Sequence, residues 1–206
     1  MVLKEKEKQA IKDLQTLEQA CIDKYGKYAA QAKDPVLQEL FTTLKRNEQK
    51  HYDSLEQVLT GTVPSCNCND SDRRDYDPKA TYSQLGQSQD KKDDAFLATD
   101  CITSEKLASS EYNSDVFIFG DSAIRKLLAD IQIEEQNHAE MLFKYKTANS
   151  PKTGKNSGLR AVFLSLYYHK IGIFSSLVLP AALGYNRGTG GDLAWIKHGA
   201  PSARWR

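Results

Sequence analysis

Hydrophobic positions along Asp121–Lys146 recur in alternating steps of four and three: Ile124, Leu128, Ile131, Glu135, His138, Leu142, Tyr145. That spacing predicts an amphipathic helix packed lengthwise against others. Two members of the seam, Glu135 and His138, are out of character for an apolar core. Being three apart, they leave the same face of the helix. A carboxylate in a buried seam is costly unless it is paired or meets a cation.

The same seam runs earlier in the chain, through Leu37, Phe41, Leu44, Glu48, His51 and Leu55. An offset of 87 residues superimposes the two. It also lays Glu18 on Glu105, Tyr25 on Tyr112, Asp13 on Asp100, Asp34 on Asp121, Leu40 on Leu127, Gln49 on Gln136 and Leu55 on Leu142, without a gap. The chain therefore contains an internal repeat of a helical hairpin. In each copy a glutamate precedes the Glu-x-x-His by 30 residues.

Four long helices follow. The first covers 3–32, with Ile11, Leu14, Glu18, Cys21, Ile22, Tyr25 and Ala29 inward. The second begins at Asp34, an N-cap followed by proline at the first helical position, and runs to about Thr60, where Gly61 and Pro64 end it. The third extends from about Asp94 to Phe119, with Ala98, Cys101, Glu105, Ala108, Tyr112 and Phe119 inward. Gly120 and Asp121 turn the chain into the fourth. Residues 61–93 have turn and polar composition and read as a surface crossover, with a short helix expected near Thr81–Gly86. A helix of this length spans about 40 Å, so such a crossover can run the length of a bundle. The expected fold is all-α, a four-helix bundle of two repeated hairpins occupying 1–149.

Composition adds bounds. A chain of 206 residues defaults to one domain. A net charge of +1 gives no bias toward nucleic acid. The charge is uneven: residues 151–206 hold eight Lys or Arg against one acid, Asp192, a net of +7, so residues 1–150 carry −6. The start, MVLKEKEKQA, has no apolar run, which points to an intracellular, cytoplasmic protein. Four cysteines are too few for a disulfide scaffold. Cys66 and Cys68 read as exposed, unbonded thiols, and Cys21 and Cys101 as small core residues. From 150 onward the repeat stops. Residues 158–185 are apolar but broken by His169, Lys170 and Pro180, and neither part reaches the roughly 18 residues of a membrane span. A membrane- or partner-binding hairpin, an extra packed element and non-native sequence compete for this tail, and the third is favoured. His169 and His198 receive no site role.

The candidate chemistry lies in six residues: Glu18, Glu48, His51, Glu105, Glu135 and His138. One glutamate from each of two helices plus a Glu-x-x-His from each of the other two is a known way for a four-helix bundle to hold two metal ions. Four carboxylates and two neutral imidazoles carry −4, which two divalent cations neutralise. Carboxylate with imidazole suits iron or manganese. The expected arrangement is one bridging carboxylate from each Glu-x-x-His helix, with Glu18 and Glu105 terminal and one histidine per metal. The competing reading is a solvated or internally paired polar layer. One Glu-x-x-His would leave that reading in front; two, at matching seam positions and each with a glutamate 30 residues earlier, reverse the order. Tyr25 and Tyr112 sit two turns beyond Glu18 and Glu105 on the same stripe, as donors to ligand carboxylates or as core residues. Asp13 and Asp100 could support the histidines, but surface positions near helix starts fit both better.

These residues resemble the ferritin-like superfamily, and most of all its rubrerythrin branch. The resemblance covers residues 8–147. It rests on Glu18 with Tyr25, LFTTLKRNEQKH, Glu105 with Tyr112, and LLADIQIEEQNHAEML. It implies two iron ions, with manganese as the alternative, and a peroxidase or ferroxidase whose small oxidant is hydrogen peroxide or dioxygen. Two departures stand out. No paired Cys-x-x-Cys motifs are present, which implies an external electron donor. The extra glutamate of the rubrerythrin centre has only Glu111 as a candidate. The plan is also similar to the spore-coat F-type ferritin-like proteins, many of which lack the ligand set. That second resemblance implies a structural protein of the spore coat, with a homodimer or a coat assembly as its partners.

Overall fold

The computed structural model describes residues 3–65, 71–83 and 85–151. All regular structure among them is helical: α1 Glu5–Gln31, α2 Pro35–Leu59, α3 Ser71–Asp75, α4 Gln89–Asp115 and α5 Ser122–Ala148, with a 3-10 turn at Val116–Ile118 before α5. No helix among the described residues is long and apolar enough to cross a membrane. Helix α1 packs along α2, and α4 along α5; α1 also meets α4, and α2 meets α5.

The helix boundaries follow from local chemistry. Asp34 caps α2 by accepting from the Val36 N–H, with Pro35 at the first position. Asp121 caps α5 through the Ala123 and Ile124 N–H groups. Gly61, at φ 97°, takes the left-handed conformation that releases the chain from α2. Helix α4 begins at Gln89, upstream of the expected start near Asp94, because Ser88 Oγ accepts from the Lys91 N–H. It gives way to the 3-10 turn before Phe119, which is buried as expected.

In the crossover, the described residues of 81–86 form no helix. The N–H groups of Thr81 and Tyr82 donate instead to Asn149 Oδ1, which fixes this strap to the end of α5. The short helix lies earlier, at α3, where Arg73 bonds Glu140 of α5 at 2.9 Å. Cys66 and Cys68, and the tail from 152 with His169 and His198, lie outside the described residues.

The apolar core has two parts. One gathers Cys21, Tyr25, Leu37, Leu40, Phe41, Leu44, Ala98, Cys101, Leu142 and Tyr145. The other gathers Ile11, Leu14, Leu55, Val58, Tyr112, Phe119, Ile124, Leu127, Leu128 and Ile131. On each helix the polar member of the stripe falls between the residues of these two clusters.

Candidate metal centre

Glu18, Glu48, Glu105 and Glu135 are each at most 1% exposed, and His51 and His138 only 2% and 3%. The four long helices bring all six to one layer, in two overlapping groups. Glu18, Glu48, His51 and Glu135 form the first, and Glu48, Glu105, Glu135 and His138 the second; within each group, one donor atom per residue lies within 4.8 Å of the others. Glu48 and Glu135 belong to both. The two Glu-x-x-His glutamates are thus common to both groups, and Glu18 and Glu105 fall in different ones, each with one histidine.

The distances keep the repeat's symmetry. His51 Nδ1 is 2.9 Å from Glu135 Oε1, 3.4 Å from Glu48 Oε2 and 3.7 Å from Glu18 Oε2. His138 Nδ1 is 2.9 Å from Glu48 Oε1 and 3.6 Å from Glu105 Oε2. The two imidazoles stack with centroids 5.7 Å apart. Each histidine thus turns Nδ1 toward carboxylates.

These close approaches are not hydrogen-bonded. Glu18 Oε2, both oxygens of Glu48, Glu105 Oε2, both oxygens of Glu135, His51 Nδ1 and His138 Nδ1 are buried with no hydrogen-bond partner. A buried polar atom normally has a partner, and each exception costs about 1–3 kcal/mol. Eight such atoms converging on one layer form a donor set that could hold two cations.

Without cations, protons supply the positive charge. Burial pushes the Glu18 carboxyl up to about 8, helped by the neighbouring Glu48 charge. Burial likewise raises Glu135 well above the usual range, with Glu48, Glu18 and Glu105 adding to it. Burial disfavours a charged His51, but the adjacent carboxylates, Glu134 first and then Glu135, Glu18 and Glu48, outweigh it and raise the imidazole well above its ordinary value. For His138 burial again opposes the charge, and Glu48 and Glu105 overcome it. Glu48 is buried too, yet both histidines hold it below the ordinary range. The layer is thus a set of carboxylates neutralised by protons that a cation would displace.

The tyrosines cross between the halves. Tyr25 of α1 donates to Glu105 Oε1 of α4, and Tyr112 of α4 donates to Glu18 Oε1 of α1. Burial, then the adjacent carboxylate, raises both phenols well above their usual range, so both remain donors. Each phenol reaches a cluster carboxylate while its ring lies in an apolar cluster, so both readings given for them fit the geometry. Cys21 and Cys101 are buried free thiols, and burial beside carboxylates raises both, which keeps them out of the thiolate form.

Three expectations need correction or addition. Asp13 is exposed and accepts from Gln9, while Asp100 accepts from Lys24 and Tyr28; neither supports a histidine. Glu111 is exposed and outside both groups, so it does not supply an extra cluster glutamate. The residues that do meet the histidines' outer nitrogens are Glu134, 2.5 Å from His51 Nε2, and Asn47, 3.4 Å from His138 Nε2. Both precede a Glu-x-x-His glutamate by one position, and the offset of 87 pairs them.

A family model described as the Coat F domain matches residues 93–149, which take in most of α4 and all of α5. The match contains Glu105, Tyr112, Glu135 and His138, and stops short of the first half with Glu18, Glu48 and His51. No curated protein and no solved structure matches the chain. The second half is thus similar to the Coat F domain, and it contributes half of the buried cluster.

Proposed function

We propose that the chain is a coat-type structural protein whose four long helices form a ferritin-like bundle of two hairpins around a two-metal carboxylate centre. The observation that carries the metal reading is the pair of overlapping clusters sharing Glu48 and Glu135, with eight buried donor atoms lacking hydrogen bonds. The observation that supports the coat reading, and with it a location in the spore coat, is the Coat F match over 93–149. The two readings are compatible: a metal pair can clamp four helices together inside an assembled layer.

In this arrangement Glu18 and His51 would hold one ion, Glu105 and His138 the other, and Glu48 and Glu135 both. Iron suits the donor set, and manganese is the alternative. An iron pair would supply electron exchange with hydrogen peroxide or dioxygen, with the electrons coming from an external donor. The chain's own residues would orient and insulate. Tyr25 and Tyr112 fix one oxygen each of Glu105 and Glu18, leaving the other for the ion. The two apolar clusters flank the layer.

Metal content separates this reading from an internally paired polar layer. Protein loaded anaerobically with ferrous or manganous ion is expected to retain two ions per chain. Glu48→Ala and Glu135→Ala, which each remove a shared ligand, are expected to retain at most one. Substoichiometric uptake by correctly folded wild type would reject the centre. Oxidation of bound ferrous iron by peroxide or dioxygen then separates a reactive centre from a clamp. Acceleration over free iron that is lost in His51→Ala and His138→Ala indicates an enzyme of the peroxidase or ferroxidase kind. A rate equal to the buffer control in all three proteins leaves the coat protein with a structural metal.

A further inference from the structure

The six cluster residues obey the repeat, but the two groups behind the histidines do not. On the His51 side Glu134 Oε2 lies 2.5 Å from Nε2. On the His138 side the Asn47 carboxamide lies 3.4 Å from Nε2. The pair occupies equivalent positions of the repeat, and each residue reaches the histidine of the other half. One half therefore backs its partner's imidazole with a carboxylate, the other with a neutral amide.

We propose that Glu134 and Asn47 make the two metal positions unequal, so that a divalent ion fills the Glu18–His51 position first and the Glu105–His138 position second. The proposal rests on the two-metal reading above. An imidazole that binds an ion through Nδ1 must carry its proton on Nε2. Glu134 is an acceptor only, so it holds that proton in place, leaves Nδ1 bare and makes the ring a stronger donor. Its charge also adds one negative unit beside that position. Asn47 does the opposite. Its Oδ1 faces Lys50 Nζ at 3.4 Å, and its Nδ2 faces the ring. An NH2 group directed at Nε2 offers no acceptor for the Nε2 proton that a metal-bound His138 must carry. The carboxamide must turn before His138 can serve as a ligand, and Lys50 places a positive charge beside the same pocket. Both differences act in one direction. Glu134 and Asn47 are thus positioning residues that act through the histidines.

The test is a calorimetric titration of metal-free, full-length protein with manganous ion. Wild type is expected to take two ions in two steps, with dissociation constants at least about tenfold apart. Glu134→Gln, nearly isosteric, should weaken the tight step about 10–100-fold and leave the other in place. Asn47→Glu should tighten the weak step by a similar factor and bring the two constants together. A gain of affinity cannot come from damaged folding, so this variant keeps the test decisive if Glu134→Gln proves unstable. Glu18→Gln should remove the tight step and Glu105→Gln the weak one, which assigns the order. Two equal constants in wild type, or equal weakening of both steps by Glu134→Gln, would overturn the inequality and leave the two-metal centre standing. No uptake of manganous or ferrous ion at all would overturn both.

Discussion

The first pair of long helices (α1, α2) and the second (α4, α5) descend from one pattern, and the structure sorts which parts of it are held in common. The layer where the pairs meet is matched almost atom for atom. Each half supplies one glutamate from its first long helix, one Glu-x-x-His and one tyrosine that donates to the other half's first-helix glutamate. Away from the layer the halves part. Asp34 is 3% exposed and accepts from Val36 N–H, Thr81 Oγ1 and Tyr145 Oη, whereas its counterpart Asp121 is exposed and accepts only backbone N–H groups. The α1–α2 turn is short and tied to the crossover strap through Asp34 and Thr81, while the α4–α5 turn carries an additional 3-10 segment. Eight buried donor atoms without hydrogen bonds stay in register while the surroundings diverge, which supports the two-metal centre proposed above.

The largest effect that could break the matched layer is pH. Between the unfolded value of 4.5 and about 8, Glu18 holds a proton in the folded chain that the unfolded chain has released. Glu135 shifts in the same direction. Stability therefore falls as pH rises through this window, by up to about 1.4 kcal/mol per pH unit for each group on its slope. His51 and His138, raised from 6.5, extend the loss upward, because the folded form binds protons that the unfolded one lacks. Glu48 is depressed, so its contribution is complete above 4.5 and flat across this range. Metal-free protein is expected to melt about 10 °C or more lower at pH 8 than at pH 5.5, with the difference shrinking or reversing after manganous ion is added. A melting temperature that rises with pH in the metal-free protein would mean the layer is solvated or paired otherwise.

A second test sets the two apolar clusters against each other. Phe41 and Leu128 are counterparts in the repeat, both fully buried, one in each cluster. Leu128→Ala should cost about 2–5 kcal/mol and Phe41→Ala about 3–5 kcal/mol. Because each cluster draws on all four long helices, either variant should still unfold in one transition by circular dichroism. A biphasic melt, with one half's helices lost first, would show that the halves are separate folding units that merely abut.

The sequence made the matched part legible and the divergent part not. Helical periodicity gave the four long helices, the Asp34 and Asp121 caps and the seams, since these depend on neighbours three or four residues away. The doubled Glu-x-x-His made the cluster visible for the same reason. The short helix in the crossover was misplaced because the order at Thr81–Tyr82 comes from a distant partner: Asn149 takes both N–H groups, and no local pattern announces that. Glu134 and Asn47 were overlooked although the offset of 87 pairs them, because an acid and an amide at a half-buried position look like ordinary surface. The offset marks residues that agree; the histidine supports are found only by asking where it disagrees.

The smallest expected effect probes a correspondence outside the buried polar layer. Glu7 and Asp94 are also 87 apart, each near the start of its half's first helix. Asp94 accepts from the Lys33 and Asp34 N–H groups of the α1–α2 turn and from Tyr82 Oη. Glu7 accepts from the Gly120 N–H of the α4–α5 turn, at the position equivalent to Lys33, and from Lys4 N–H. Each half thus caps the other's turn, but Asp94, 1% exposed, holds two turn amides and a phenol where Glu7 holds one turn amide at 3.3 Å. Asp94→Ala leaves buried donors without an acceptor and should cost about 1–3 kcal/mol. It should also speed amide hydrogen exchange at Lys33 and Asp34 while leaving Gly120 unchanged. Glu7→Ala should lower the melting temperature less and speed exchange at Gly120 and Lys4 while leaving Lys33 and Asp34 unchanged. Equal effects from the two variants would mean that the crossover strap adds nothing to the first turn, and that the halves are as alike at their ends as they are in the buried polar layer.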